Sequence, residues 1–306
     1  MKTNTNTEKL RKIPKIDAHH HLWDTKTQSY PWLGHYPKST RPRVMYDTSK
    51  IGKLNFTLDA YRELATPENV VKSVFIQAGM ANPVDETRWV QKLSDDSGFP
   101  IMIVPYLDMT DPYWEQTIEA HLESPNVRAM RHIIADSNDP DGHNPPAFDD
   151  YTWQGNYKKL AKYKMKFDMH VFPWQMDKAI NIIGRSPDVP VGLCHTGEPY
   201  DQSPNSVELW RKGMAGLAAM DHVSVKISGF GMFMHHWTIE NAASFVHETI
   251  DMFGPDRCMF ASNVPPDMTS GSYERIYNAF YHWTEQYTEE EQKKLFHDTA
   301  EKFYNF

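Results

Sequence analysis

Three consecutive histidines close the segment Lys15-Ile16-Asp17-Ala18-His19-His20-His21. Ile13 to Ala18 reads as a short strand, and side chains alternate along a strand. His19 and His21 therefore share one face and His20 takes the other. Two imidazoles on one face, one residue apart, can chelate a divalent cation. An isolated His-x-His is more often a polar strand end, so the reading depends on chemistry elsewhere. Seven later apolar runs supply it. Six of them lead to Gln77, Arg131 and His132, His170, His195, Lys226 and Ser228, and Asn263.

The elements that must position these residues follow a rhythm. β-branched or apolar runs at 70–77, 101–106, 127–133, 167–172, 189–195, 223–228 and 257–263 read as strands. Helical stretches at 58–64, 83–94, 114–122, 151–163, 175–183, 207–220 and 239–253 fall between them, with Ser206 placed to cap the one at 207–220. Eight strands alternating with helices predict a single distorted (β/α)8 barrel over residues 1–306. An open doubly wound sheet would call for a glycine-rich loop after the first strand, and Ala18 to Asp24 has no glycine. A barrel gathers its chemistry at the C-terminal ends of its strands. His19, His21, His170 and His195 should then converge. The stretch 24–57, with Tyr30-Pro31-Trp32-Leu33 and Arg41-Pro42-Arg43, reads as a long loop that covers the active-site face or packs an N-terminal extension over it.

Hydrophobic residues make up 40% of the 306 and aromatics 13%, enough for a large core. A net charge of −8 gives no electrostatic footprint for nucleic acid. Cys194 and Cys258 lie in apolar runs and read as buried, reduced thiols. Met1 to Lys15 has no apolar stretch that would serve as a signal peptide or membrane span. A soluble cytoplasmic protein with a small-molecule substrate is expected, compatible with a homo-oligomer.

The motifs "DAHHHLWD", "HVFPWQM", "CHTGEP", "VKISG" and "GPDRCMFASNVPPD" together resemble the amidohydrolase superfamily. The nearest likeness is to its amidohydrolase-related branch, which includes sugar-lactone and pyrone-dicarboxylate lactonases. The resemblance runs from Lys15 to the C-terminus and implies a distorted (β/α)8 barrel that hydrolyses a lactone or a related ester or amide. It places the family's metal ligands on His19, His21, His170 and His195. Two departures stand out. Asn263 occupies the strand-eight position where the superfamily commonly has Asp. Cys194-His195-Thr196-Gly197-Glu198-Pro199 replaces the branch's usual Asp-His-x-Gly-Lys-Pro. Some lactonases of the branch work without metal, so the cofactor stays open, with zinc the cation a histidine-rich set favours.

An amide takes no proton near neutrality, so Asn263 is not the base. A metal on the histidines would polarise a carbonyl and activate water. Without one, an imidazole with an ordinary pKa of about 6.5 would take the proton directly. His195 is the first candidate, Glu198 and Asp267 the substitutes. His195 as base would titrate between about pH 5 and 8, and Asn263 would donate to a substrate oxygen. Arg131 and Lys226 would stabilise an oxyanion, hold a substrate carboxylate or neutralise nearby acids. Gln77 would contact substrate. Trp23, Trp32 and Trp174 would wall a ring, although core packing explains Trp174 equally well. The expected product is the opened acid of a small sugar-derived or aromatic-catabolism lactone. The rivals are a decarboxylase or hydratase of an aromatic or unsaturated acid on the same barrel, and a non-catalytic homologue.

Overall fold

A computed structural model describes residues 5–33, 49–134, 146–234 and 236–306. Arg41, Pro42 and Arg43 and the middle of the expected loop at 24–57 lie outside them. The eight expected strands all form: β1 (Lys15–His20), β2 (Val70–Ile76), β3 (Ile101–Val104), β4 (Ala129–Met130), β5 (Lys166–Met169), β6 (Val191–Leu193), β7 (Val223–Ile227) and β8 (Cys258–Phe260). All paired neighbours are parallel, in the order β1-β2-β3 and β4-β5-β6-β7-β8. Single bridges join the two runs: Ile103 to Val127 and Tyr106 to Arg131 on one side, His20 to Val264 on the other. The fold is a distorted (β/α)8 barrel.

Most ladders are shorter than the apolar runs that announce them. The run at 127–133 yields only Ala129–Met130 as strand, because Arg131 leaves the ladder for an isolated bridge. Helices follow local rules. α1 (Pro83–Ser97) opens on proline, is capped by the Asn82 side chain accepting from the Val84 and Asp85 amides, and stops at Gly98 with φ +65°. α2 (Pro204–Ala218) corrects one expectation. It begins three residues before Val207, with Pro204 in its first turn and Ser203 at the N-cap, so Ser206 is not the cap. The Ser206 hydroxyl bonds Asp201 instead. Cys194 and Cys258 are buried free thiols, as expected.

The barrel closes on Asp17. Its carboxylate accepts from the Ser262 amide at 2.8 Å, the Ser262 hydroxyl at 2.6 Å and the Tyr61 hydroxyl at 3.0 Å. The backbone adds His21 N to Val264 O and Asn263 N to His19 O, both 2.8 Å. Together these clamp the end of β1 to the segment after β8, which brings the histidine motif beside Asn263. No helix among the described residues is long and apolar enough to cross a membrane.

Candidate active site

The four predicted histidines form a chain of ring contacts across the end of the barrel. His21 meets His19 at 5.1 Å between centroids, His19 meets His195 at 4.5 Å, and His195 meets His170 at 5.1 Å. The alternation of β1 holds. His20 points the other way, stacks on Tyr61 at 4.1 Å and bonds Ser73 Oγ at 2.9 Å. Above the chain opens a cavity of about 400 Å³, whose lining includes His21, His170, His195, Asn263, Gln77, Arg131, Trp23 and Trp32. His19, Lys226 and Trp174 are not in that lining. His19 lies beneath it, and Trp174 stacks on Phe172 at 4.5 Å and meets Tyr200 edge-on.

Partners that only accept or only donate fix which nitrogen carries the proton on His21 and His19. His21 Nδ1 faces the Ile76 and Gln77 carbonyl oxygens at 2.9 and 3.1 Å, which only accept. Its proton is on Nδ1, and the Nε2 lone pair is free for a proton or a cation. His19 is the reverse. The Lys226 ammonium, which only donates, lies 3.5 Å from Nδ1, so the proton sits on Nε2, a buried atom with no partner among the described residues. Arg131 Nη2 donates to His170 Nδ1 at 3.1 Å, and His170 Nε2 makes a short contact with Glu198 Oε1. His195 Nδ1 pairs with Ser228 Oγ at 3.0 Å.

Burial disfavours charge on these rings. His21 is pushed down to about 3, by desolvation first and the Arg131 charge second. His19 falls well below the ordinary value through desolvation and then Lys226. His195 also falls well below it, through desolvation, then His170 and Arg131. The expected titration of His195 between pH 5 and 8 is therefore corrected: its unprotonated form extends to much lower pH.

Lys226 departs from the substrate-facing role. It is fully buried, in a short ion pair with Asp168 Oδ2, while Asp168 Oδ1 accepts from Tyr304 OH at 2.8 Å. Asp267 also turns from the cavity. It accepts from Asn263 Nδ2 at 2.9 Å and from the Gly229 amide at 3.0 Å, and burial pushes its carboxyl up to about 8. One of the two Nδ2 hydrogens of Asn263 is engaged there, so its second Nδ2 hydrogen and its amide oxygen are what it can offer the cavity. Asp168, Tyr304 and the clamp on Asp17 were missed by the sequence reading. Asp17 stands in the histidine motif itself, but nothing local announced its partners at Tyr61 and Ser262.

The loop after β6 is unusual. His195, Thr196, Gly197 and Glu198 all have positive φ, at +57°, +55°, +66° and +51°. Thr196 Oγ1 and the Ser228 backbone bond each other, and Trp210 Nε1 donates to Thr196 O at 2.8 Å. These contacts hold a sparsely populated backbone that delivers His195 and Glu198 from one turn.

Two groups of side chains bring potential ligand atoms within 4.8 Å of one another: His170, His195 and Glu198, and His19, Cys194 and His195. His21 belongs to neither. The Cys194 thiol is pushed up to about 11 by burial, which makes it a poor ligand at neutral pH. Two imidazoles and a carboxylate are a donor set that catalytic zinc takes, and Glu198 Oε2 is buried without a partner among the described residues. The residues fit a divalent cation of that kind once it takes the place of the proton His170 Nε2 shares with Glu198 and His170 Nδ1 is protonated in place of accepting from Arg131.

The family model described as Amidohydrolase matches residues 16–306. The uncharacterized protein y4mH of Sinorhizobium fredii is 36% identical over 302 residues, 95% of this chain and 98% of that one. The L-fucono-1,5-lactonase of Burkholderia multivorans is 25% identical over 305 residues, 95% of each chain. The solved structure of an amidohydrolase from Burkholderia multivorans with bound zinc superposes with a TM-score of 0.80 at 22% identity, covering 96% of this chain and 99% of that one.

Proposed function

Starting from a chain that belongs to the amidohydrolase family, we propose that it hydrolyses a lactone, or a related ester, of a small organic acid. The observation that carries this reading is the row of four histidines under a cavity walled by Trp23 and Trp32. A divalent cation on His170, His195 and Glu198 would supply carbonyl polarisation and water acidified to a pKa of about 7.

The chain's own residues do the rest. Without a cation, the Nε2 of His195 takes a proton from water, with Ser228 fixing its ring; with one bound, that nitrogen is a ligand and the free Nε2 of His21 is the base. The Asn263 oxygen holds that water, and Asp267 fixes the Asn263 amide. Gln77 is the neutral donor available to the substrate carbonyl oxygen. His21, aligned by two backbone carbonyls, offers a second lone pair to the same space. His19 lies one layer below and orients its neighbours, and Lys226 and Asp168 hold it there. Glu198 holds His170 from one side while Arg131 holds it from the other.

The test is a lactone panel followed by proton release, with metal content measured before and after chelation. Ring opening that His195→Ala abolishes is the expected result. Release of CO2 from carboxylic acids, with no lactone opened, would replace this reading by decarboxylation. Turnover that survives chelation would assign the proton transfer to the histidines alone.

A further inference from the structure

We propose that Glu86, which takes no part in the reaction, is a positioning residue: from behind the cavity wall its carboxyl oxygen holds the turn that seats Trp32, and so sets how tightly substrate binds. Its kinetic signature rests on the hydrolytic reading above; its spectroscopic signature does not.

Glu86 stands in the first turn of α1, is only 1% exposed and is not among the residues that line the cavity. The start of the helix does not need it, because Asn82 already caps that end. Its Oε1 accepts instead from the Ala78 and Met80 amides, both at 3.1 Å. Those two amides flank Gly79, whose φ is +79°, and Gln77, Ala78 and Gly79 all line the cavity. Burial pushes the carboxyl up to about 7 against the pull of the two amides. A buried carboxyl is costly unless its hydrogen bonds serve something. An oxygen of this group accepts in either protonation state, so the turn needs the oxygen and not the charge.

The turn carries Trp32. Trp32 Nε1 donates to Ala78 O, and the Ala81 amide donates to Ser29 O at 2.9 Å. The segment that bears Trp32 is thus fastened twice to residues 78–81. A Cβ on Gly79 would lie 2.9 Å from Trp32 Nε1, so only glycine permits this approach. The other wall indole is fixed separately: Trp23 Nε1 donates to Leu54 O at 2.7 Å, and the two rings meet edge to face at 5.8 Å. Gln77 is also independent of Glu86. Its own amide donates to Val104 O at 2.9 Å, so the Gln77 carbonyl that orients His21 stays in place. Loss of Glu86 should therefore loosen binding and spare the chemistry.

The test uses the full chain with dihydrocoumarin, a neutral aromatic lactone. Glu86→Ala should raise KM on the order of tenfold and leave kcat within about twofold. Glu86→Gln keeps an acceptor oxygen in place and should hold both constants within about twofold of the wild type. The emission of Trp32, isolated in each protein by subtracting its Trp32→Phe counterpart, should move to longer wavelength in Glu86→Ala and stay in place in Glu86→Gln. Glu86→Asp withdraws the oxygen by one methylene, should act in the same direction, and carries the test if Glu86→Ala does not fold. An unchanged KM, a loss confined to kcat, unmoved Trp32 emission, or a Glu86→Gln that matches Glu86→Ala would each overturn the proposal. Should no lactone be opened at all, the hydrolytic reading falls and the Trp32 emission alone decides this one.

Discussion

Lys226 and Arg131 look alike in the sequence, each a cation near a strand end, and each points a donor at Nδ1 of a histidine. The barrel interior completes one and leaves the other open. Lys226 is paired with Asp168, which Tyr304 holds in turn, and the ammonium lies 5.2 Å from the Tyr304 ring. Arg131 touches His170 and the cavity and has no carboxylate within ion-pair distance among the described residues. The same chemistry serves structure where its charge is cancelled within the chain, and is available to a ligand where it is not. Side-chain type proposes a site. The unmatched atom selects it.

The sharpest way to break this contrast is to unmatch Lys226. Asp168→Asn leaves an uncompensated buried ammonium and should cost about 3–5 kcal/mol in chemical denaturation. Arg131→Gln loses one hydrogen bond to His170 and a charge with no counter-charge among the described residues, so its cost should stay near about 1 kcal/mol. Equal losses would mean that the two cations are not different in kind.

The cavity side is tested through its bases. His195→Ala should lower lactone turnover on the order of 10²–10⁴-fold while circular dichroism and Tm stay close to the wild type. Unchanged turnover would move the base to His21. Since burial lowers the pKa of His195, wild-type kcat/KM should show no fall with a pKa near 6.5 as pH drops from 8 to 5. Asn263→Ala has a smaller role. With one Nδ2 hydrogen committed to Asp267, it loses its remaining contact to water, and the rate should fall about tenfold.

The smallest effect compares the two faces of β1. His19, His20, His21 and His195 all have folded pKa values below the ordinary 6.5, with His20 and His21 near 3. The unfolded chain then binds more protons than the folded one between about pH 3 and 6.5. Stability from this source is present above pH 6.5 and is lost as pH falls through that window. His20→Gln should remove at most one proton from the slope, about 1.4 kcal/mol per pH unit, with turnover unchanged. Urea midpoints across pH 4–7 measure the first and the lactone assay the second.

Much of this was legible in the sequence, because β-branched runs and helical periods are local signals. All eight strands and the meeting of four histidines follow from them. Ladder lengths did not, since a residue such as Arg131 continues the apolar run in sequence while its backbone turns toward the site. The fates of Lys226 and Asp267 were hidden for a different reason. Their partners stand 58 residues away for Lys226 and, through the Gly229 amide, 38 residues away for Asp267. For Trp174 the sequence left a ligand wall and core packing equally open, and it packs, stacking on Phe172 two residues before it. Ser206 lost the cap because Pro204 suits the first turn of a helix better than any residue further on.

Thr196 carries a cost that a protein engineer would meet first. A β-branched residue at φ +55° is an obvious target for stabilisation, and glycine would relieve it by on the order of 1 kcal/mol. The same exchange deletes the hydroxyl that ties the turn to Ser228, so His195 and Glu198 would gain freedom together. Durability and turnover are thus set against each other at one residue, and selection for heat resistance alone would be expected to find the variant that works less well.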